Sequence, residues 1–339
     1  MRKEVVWAIV AGIIFGLIVG FGVWRINSSL KSKNENAQPT PTPQSATPTE
    51  LKITLDKPEN EDVITDSSVT VSGITKNLAW VVVSGENGDF ITQADTKGVF
   101  SQDVDLNAGV NQIKITAFDK DGAQSDTHVI VVYSGLFKKN TLAASPAPSA
   151  ATGDAAIRQK VEEKVAEAIN HPKAFLGTVT DITDSTIQIK SIEGDIRQIS
   201  ATSDSVTVIN NRDDANKQVK LTDVAIGDFL VAMGYKGSNN VLIAQRILIT
   251  DAVKTPKINI VNGKVTDKSA GTLTVAPIKG EASTITPNYL TDIETIKDGK
   301  ETAITTSKIA EGDTIIFVTD NGGKTLKLRS IFLIDKKSS

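Results

Sequence analysis

The apolar and polar residues divide the chain into one long apolar run, two polar linkers and many short alternating segments. Residues 5–24 form the apolar run, twenty residues without a charge. At about 1.5 Å per helical residue, this length matches the roughly 30 Å hydrocarbon core of a bilayer. Trp7 and Trp24 lie near its ends, where indole rings favour the headgroup level. We therefore predict a transmembrane helix at 5–24.

The end of this run argues against a removable signal. A cleaved signal peptide has an apolar region of about 7 to 15 residues and a small-x-small cleavage site. Residues 20–29 read GFGVWRINSS and match such a site poorly. A cleaved signal and a buried core helix are the alternatives, but we expect an uncleaved signal anchor with residues 1–4 in the cytoplasm.

Small residues recur along the predicted membrane helix at every fourth position, namely Ala8, Gly12, Gly16 and Gly20. They lie on one side of the helix, where small side chains let two helices approach closely. This pattern indicates a homodimer through the membrane helix. The general frequency of glycine in such helices is the alternative explanation.

Two segments lack apolar periodicity. Residues 25–50 are rich in Pro and Thr, and residues 136–153 in Ala, Ser and Pro, so we predict a stalk and a spacer. Positive charges flank the anchor on both sides, so its orientation is inferred from the stalk, which favours extracytoplasmic modules on a single-pass cell-membrane protein. Residues 154–171 carry an apolar stripe at helical spacing and predict a short amphipathic helix that Pro172 ends.

From Leu51 onward, short segments with apolar residues at every second position alternate with turn sequences. This pattern predicts an antiparallel β-sandwich at 51–135. The pairs Asn87-Gly88 and Asp121-Gly122 supply hairpin turns. The segment from Val110 to Ala117 alternates as a half-buried strand does, with Ile113 and Ile115 on the inward face.

This region resembles bacterial Ig-like domains of the glucodextranase-associated type. The matching positions are Val71, Gly73, Gly98, Phe100, Val104, Leu106, Gly109, Asn111, Ile113, Ile115, Ala117, Asp119 and Gly122. The resemblance implies a β-sandwich. It also implies a role as a spacer or adhesive unit, since such domains occur on surface proteins and beside surface carbohydrate enzymes.

The rest of the chain contains an internal repeat. Gly177 matches Gly263, Gly227-Asp228 matches Gly312-Asp313, and Ile249 matches Ile334, at offsets of 86, 85 and 85. We therefore predict two copies of one domain, at 174–252 and 258–336. Strands this short, without helical periodicity, predict small closed barrels of OB-like character.

In each Gly-Asp pair the glycine allows a bend, and the aspartate can accept from nearby backbone N–H groups. Asp228 and Asp313 are not predicted as a catalytic pair, because they occupy equivalent turns of separate copies.

The copies resemble an uncharacterised family of small bacterial envelope β-barrel domains. The matching residues of the first copy are Gly177, Val179, Ile226, Gly227, Asp228, Ala244, Arg246 and Ile247. Those of the second are Gly263, Val265, Gly312, Asp313, Arg329 and Ile331. The second copy lacks the Met-Gly-Tyr run of the first and has Leu328 where the first has Gln245. The resemblance implies no known chemistry.

The composition offers few reactive groups. There is no cysteine, and there are two histidines and three tyrosines. Asp119, Asp121 and Asp126 are weak calcium candidates, with an ordinary solvated hairpin as the alternative, because an EF-hand loop needs further ligands and a closing Glu. His128 lies in a strand-like run without a second metal ligand nearby. We predict no enzyme activity and no cofactor.

Three functions compete. The first is a non-enzymatic, membrane-anchored surface protein acting as a stalk, scaffold or adhesion unit, with surface proteins as partners. The second is a cell-wall glycan-binding protein, for which Trp80, Tyr235 and Tyr289 are the candidate rings. The third is an envelope transport adaptor, which normally has long paired helices. Nucleic acid is excluded as a partner, since the net charge is −3 and stacking aromatics are scarce.

Overall fold

The computed structural model describes residues 50–137, 171–212, 216–297, 300–322 and 326–337. These residues form β-strands and short 3₁₀ helices, which confirms the predicted mostly β fold. The predicted anchor at 5–24, with Ala8, Gly12, Gly16 and Gly20, lies outside the described residues, as do most of the stalk, the spacer and the helix at 154–171. Within the described ranges, no helix has the length and apolar character needed to cross a membrane.

The strands fall into three groups. The first module contains β1 (Thr54–Lys57), β2 (Asp62–Ile64), β3 (Ser68–Ile74), β4 (Trp80–Ser84), β5 (Asp89–Gln93), β6 (Val99–Asp105), β7 (Gly109–Phe118) and β8 (Gln124–Tyr133). The first copy contains β9 (Pro172–Ile182), β10 (Thr186–Ser191), β11 (Ile196–Ser200), β12 (Thr207–Asn210), β13 (Lys217–Val219), β14 (Phe229–Lys236) and β15 (Leu242–Thr250). The second copy contains β16 (Ile258–Ser269), β17 (Thr272–Pro277), β18 (Ser283–Ile285), β19 (Asp292–Lys297), β20 (Lys300–Ala303), β21 (Thr314–Asp320) and β22 (Lys327–Asp335). Three 3₁₀ helices are described, at Leu221–Asp223, Ser238–Asn240 and Thr306–Lys308.

The first module is built from two sheets. One has the strand order β1-β3-β6, and the other includes β2-β8-β7-β4-β5. Apolar side chains fill the space between them, among them Val71, Phe100, Ile113 and Ile115. The predicted alternation of β7 thus places its inward face in this core.

The outward face of the β2-β8-β7-β4-β5 sheet departs from the expected half-buried pattern. Thr116 on the outward side of β7 is buried, and Val81, Val82 and Val83 of β4 are all buried. A strand that reads as a continuous apolar run is typically covered on both faces. The covering layer here is the pair of repeat copies.

Both copies pack on this outward face through equivalent surfaces. In the first copy, Ala174, Val231 and Met233 pack against Val63 and Val132 of the first module. In the second, the equivalent residues Ile260, Ile316 and Val318 pack in a cluster with Val82, Ile91 and Phe118. We call this outward sheet face the platform.

The first copy closes on itself. Its antiparallel pairs are β9 with β10, β10 with β11, β14 with β15 and β14 with β9, and a parallel pair joins β11 to β15. Together these pairs form a closed circuit of five strands. Its interior holds a core that includes Phe175, Ile189, Leu230 and Ile247.

The second copy repeats the pairing order, with β18-β17-β16-β21-β22-β19-β20. Even the β-bulges recur, between Gln188 and Ile189 against β9 and between Val265 and Asp267 against β17. One difference stands out among the described residues, where no pairing joins β18 to β22, the counterparts of β11 and β15. The second circuit is therefore open at this seam.

The register corrects three predicted equivalences. Arg246 pairs with Met233, whose counterpart Val318 pairs with Ser330, so Arg246 corresponds to Ser330 and not to Arg329. Gly234 pairs with Ala244, and its counterpart Thr319 pairs with Leu328, so Leu328 corresponds to Ala244 and not to Gln245.

The third correction concerns the end of the repeat. Ile249 pairs with Leu230, and the counterpart of Leu230 in the second copy, Ile315, pairs with Leu333. Ile249 therefore corresponds to Leu333 and not to Ile334. The reason is a bulge between Thr314 and Ile315, which absorbs one residue near the end of the repeat.

The junction before the first copy also differs from expectation. His171, the last residue of the predicted helix, lies in a bend of the backbone, and Pro172 is the first residue of strand β9. A residue before proline is disfavoured in the helical region, which is consistent with this geometry.

Candidate functional site

The platform is apolar where the copies sit and polar between them. A groove of ≈ 250 Å³ lies over this polar middle, and we call it the central groove. It is lined by Ser84, Gly85, Glu86, Gln112, Ile113, Lys114, Asp126, Thr127, His128, Thr255, Pro256, Ile258 and Arg329. Its lining residues belong to the first module, to the second copy and to residues 251–257 between the copies, which we call the link.

The floor of the central groove follows from strand alternation. Gln112 and Lys114 lie on the outward side of β7, and Lys114 is paired across the ladder with His128 of β8. The link between the copies crosses this floor: Gln112 donates to the Lys254 carbonyl at 2.8 Å, and Lys114 Nζ donates to the Ile258 carbonyl at 3.1 Å. The floor therefore holds the link in place.

One side of the groove is formed by Arg329 and the Ser84–Glu86 turn, and the buried carboxylate of Asp89 holds these parts together. Arg329 lies 3.1 Å from Asp89 Oδ1 and donates to the Gly85 carbonyl at 2.7 Å. Ser330 donates to Asp89 Oδ2 at 2.6 Å, and Ser84 donates to Asp89 Oδ1 at 2.5 Å. One carboxylate thus joins a turn of the first module to β22 of the second copy.

These contacts decide what the groove can do chemically. The Ser84 hydroxyl donates a hydrogen bond to Asp89, and the Thr116 hydroxyl donates one to Asp126 at 2.6 Å. An activated hydroxyl nucleophile instead donates to a general base such as histidine. In the part of the chain that the structure describes, no group of three or more His, Cys, Asp or Glu residues could hold a metal ion. These contacts join the modules around the groove.

A second polar cluster joins the first module to the first copy. Lys173 Nζ donates to Asp62 Oδ1 at 2.7 Å, to Glu59 Oε2 at 2.6 Å and to the Asn60 carbonyl at 3.3 Å. The hydrogen bond from Lys173 and its charge hold the pKa of Glu59 below its ordinary value. Beside it, Arg197 contacts Glu61, whose pKa is raised by burial although Arg197 opposes the rise.

Two of the three calcium candidates have other partners. Asp119 accepts from the backbone N–H groups of Asp121 and Ala123 at 2.9 and 2.8 Å and from Lys76 Nζ at 2.8 Å. Asp126 accepts from Thr116, and Asp121 is exposed. Asp119 therefore closes its own hairpin turn, and the structure does not bring the three carboxylates to one empty site.

The three candidate rings for glycan binding are in separate places. Trp80 packs in the junction with the second copy, and Tyr235 packs 6.0 Å from Phe137 at the junction with the first. Tyr289 is 94% exposed on a loop of the second copy. They do not form one aromatic surface.

The Gly-Asp turns are equivalent in the two copies. Gly227 and Gly312 have φ values of 94° and 96°, which favour glycine. Asp228 accepts from the Ala225 N–H at 3.0 Å, and Asp313 accepts from the Ala310 N–H at 2.8 Å. These residues shape the turns and lie outside the central groove.

Sequence reasoning missed the residues that join the modules, namely Asp62, Asp89, Lys173 and Arg329. Lys173 carried a weak signal, because it is a single charge at the start of an apolar strand. Its partner Asp62 is 111 positions away, so no local pattern could pair them.

Several solved structures are similar to the chain. A tetra-tandem repeat in the extending region of a large adhesion protein has 14% identity, covers 83% of this chain and 72% of that chain, and has a TM-score of 0.21. A Ca²⁺-stabilized adhesin with which an Antarctic bacterium binds ice has 16% identity, 85% and 74% coverage and a TM-score of 0.18. Drosophila Unr CSD456 has 13% identity, 78% and 98% coverage and a TM-score of 0.17. At such TM-scores these likenesses carry no functional argument.

Among curated proteins, none matches the chain. The first module does match a family. Residues 50–134 fit the family described as glucodextranase, domain B, which confirms the resemblance predicted for 51–135 and moves its bounds by one residue. The first module of this chain is therefore similar to domain B of glucodextranase.

Proposed function

We propose that this chain is a non-enzymatic, membrane-anchored surface protein whose described residues form a rigid scaffold. The observation that carries the proposal is the platform, on which both repeat copies are seated by apolar and polar contacts. Modules joined by free linkers can adopt many relative orientations, whereas modules that share a buried interface hold one. A fixed orientation is what a scaffold or an adhesive unit requires.

Both junctions are held together by buried apolar side chains. Each buries a cluster of eight side chains with at most 9% exposure. Full burial of one large aliphatic or aromatic side chain contributes about 1.5–3 kcal/mol. The Asp62–Lys173 and Asp89–Arg329 contacts add directional restraints at the same junctions.

Within this proposal the first module is an Ig-like β-sandwich and the copies are small OB-like barrels, the first closed and the second open. The predicted helix at 5–24 is the anchor, residues 25–50 are the stalk, and the modules lie outside the cytoplasm. The membrane is then one partner, and surface proteins are the other.

A second candidate function is binding of a cell-wall glycan. The observation that favours it is the central groove, which presents Gln112, Thr127, His128 and Thr255 beside the apolar Pro256 and Ile258. Polar hydrogen-bonding groups next to apolar surface are typical of ligand pockets. Nothing in the described residues favours a transport adaptor.

Because the chain contains no cysteine, a single introduced cysteine can report on which side of the membrane the modules lie. We expect Ser101→Cys, at an exposed position of β6, to react with a membrane-impermeant maleimide on intact cells that carry the full chain. Val82→Cys, at a buried position, is the matched control and should react only after denaturation. Labelling of Ser101→Cys that requires cell lysis would contradict the proposal.

The fixed orientation of the modules can be tested in the same cysteine-free chain. Spin labels at Ser101→Cys and Thr180→Cys of the full chain place one probe on the first module and one on the first copy, both at exposed positions. A narrow distance distribution is the expected result. A broad distribution would show that the modules move independently and would remove the basis of the scaffold role.

A further inference from the structure

We propose that the open seam of the second copy, between β18 and β22, is a docking site for an extended peptide strand of a partner protein with apolar residues at alternate positions. The inference does not rest on the scaffold role. It rests on a comparison of the two copies at equivalent positions.

In the first copy the equivalent seam is closed by pairing of β11 with β15. Ile199 of β11 pairs with Leu242 of β15, and both side chains are fully buried. Their counterparts, by the shared register, are Ile285 and Leu326. Leu326 is 60% exposed, so the same leucine that closes one barrel lies open in the other.

A cleft of ≈ 400 Å³ marks the seam in the second copy. It is lined by Thr284, Ile285, Thr286, Asn288, Leu326, Lys327 and Leu328. The rim also carries Leu290, which is 57% exposed, and Tyr289. Exposed apolar side chains concentrated beside one cleft indicate an interaction surface.

One sequence difference lies where the two copies diverge. Gly234 follows the β14–β15 bulge in the first copy, and Thr319 follows the same bulge in the second. A β-carbon on Gly234 would lie 2.0 Å from the Ile243 carbonyl oxygen, so only glycine permits β15 to cross so closely. Thr319 carries that β-carbon, which keeps the start of β22 from the equivalent path.

The chemistry of the cleft selects a peptide. β18 pairs only with β17 among the described strands, so its other edge presents backbone N–H and C=O groups toward the cleft. An added strand satisfies such an edge, and alternate side chains provide specificity. The first copy supplies the precedent, because there the equivalent edge pairs with a peptide strand, β15.

The test uses the full chain in nanodiscs and a synthetic fluorescent peptide, LIAQRILIT, which has the sequence of β15. We expect saturable binding by fluorescence polarisation and new protection from hydrogen exchange at residues 283–286. Leu326→Asp should weaken binding by about tenfold or more, since the leucine contact is lost. Ile226→Asp, at an exposed apolar position of the first copy, is the matched control and should bind normally.

Thr319→Gly is the reciprocal variant. It restores the residue of the first copy, so the seam should close without peptide, with protection at residues 283–286 and reduced peptide binding. The proposal is overturned by the absence of saturable binding, by binding that Leu326→Asp leaves unchanged, or by protection at β11 of the first copy instead of β18.

Discussion

Lys173 Nζ lies 2.7 Å from Asp62 Oδ1, and both side chains are buried between the first module and the first copy. The two residues also face each other in the single pairing of β2 with β9, which joins the sheets of the two units. A buried charge is tolerated only with a partner, so this contact couples the folding of the two units.

Lys173→Met is expected to lower the free energy of unfolding by about 3–5 kcal/mol, because it leaves the buried Asp62 carboxylate without its ammonium partner and with only the His171 imidazole nearby, at 3.3 Å. Urea denaturation of the full chain measures the loss. Lys190→Met, at an exposed position of β10, is the control and should change little. The double variant Asp62→Leu/Lys173→Met should lose less than Lys173→Met alone, and a loss equal to the sum of both single variants would contradict this account.

Gly234→Thr is expected to destabilise the first copy by several kcal/mol, since its β-carbon would overlap the Ile243 carbonyl oxygen. Hydrogen exchange at β11 should rise as the seam opens. Gly88→Thr meets only the Phe90 ring at 3.5 Å and is the matched control. Unchanged exchange at β11 would show that Gly234 does not control closure.

Glu301 makes the junction with the second copy sensitive to pH. Its Oε1 accepts from the Ile91 N–H of β5 at 2.6 Å. Burial raises the pKa of Glu301 above its ordinary value of 4.5, although the Ile91 hydrogen bond opposes the rise. Burial, and then the charges of Glu301 and Asp292, raise the pKa of Glu294 as well. The folded state binds these protons more tightly, so their contribution is full below the unfolded pKa and is lost as pH rises through the folded pKa.

Glu301→Gln removes one of these titrations and keeps an oxygen that can accept from Ile91. We expect its free energy of unfolding, relative to the natural chain, to increase as pH rises from 4.5 through the raised pKa. Urea denaturation across pH measures the difference. Glu86→Gln, on an exposed turn, is the control for removal of one carboxylate. Parallel curves for Glu301→Gln and the natural chain would rule out the assignment.

Calcium is not expected to stabilise the first module. The Asp119 carboxylate already accepts from Lys76 and two backbone N–H groups, so an ion would have to displace them. Asp119→Ala should cost about 1–3 kcal/mol with or without calcium, since three part-buried donors lose their acceptor. Thermal melts with calcium and with chelator provide the measurement. A higher melting temperature in calcium that Asp119→Ala abolishes would restore the metal hypothesis.

The features that could be predicted from sequence are local or repeated. The Gly-Asp turns depend on a few adjacent residues, and the duplication is visible because Gly227 and Gly312 recur in the same context. The platform was not predicted, because the segment that contains Val81–Val83 was interpreted as an alternating, half-buried strand, whereas an uninterrupted apolar run is typical of a strand covered on both faces. The ion pairs at the junctions join distant positions, and the exchange of Gly234 for Thr319 becomes meaningful only when the bulge aligns them.

The two-sided burial of the platform limits how such an assembly can grow. One copy covers the end that carries Val63 and Val132, and the other covers the end that carries Val82 and Ile91. Further duplication of the repeat would produce a unit whose apolar packing face has no sheet left to cover it. A further repeat copy would therefore need another sheet of this kind to cover its apolar packing face.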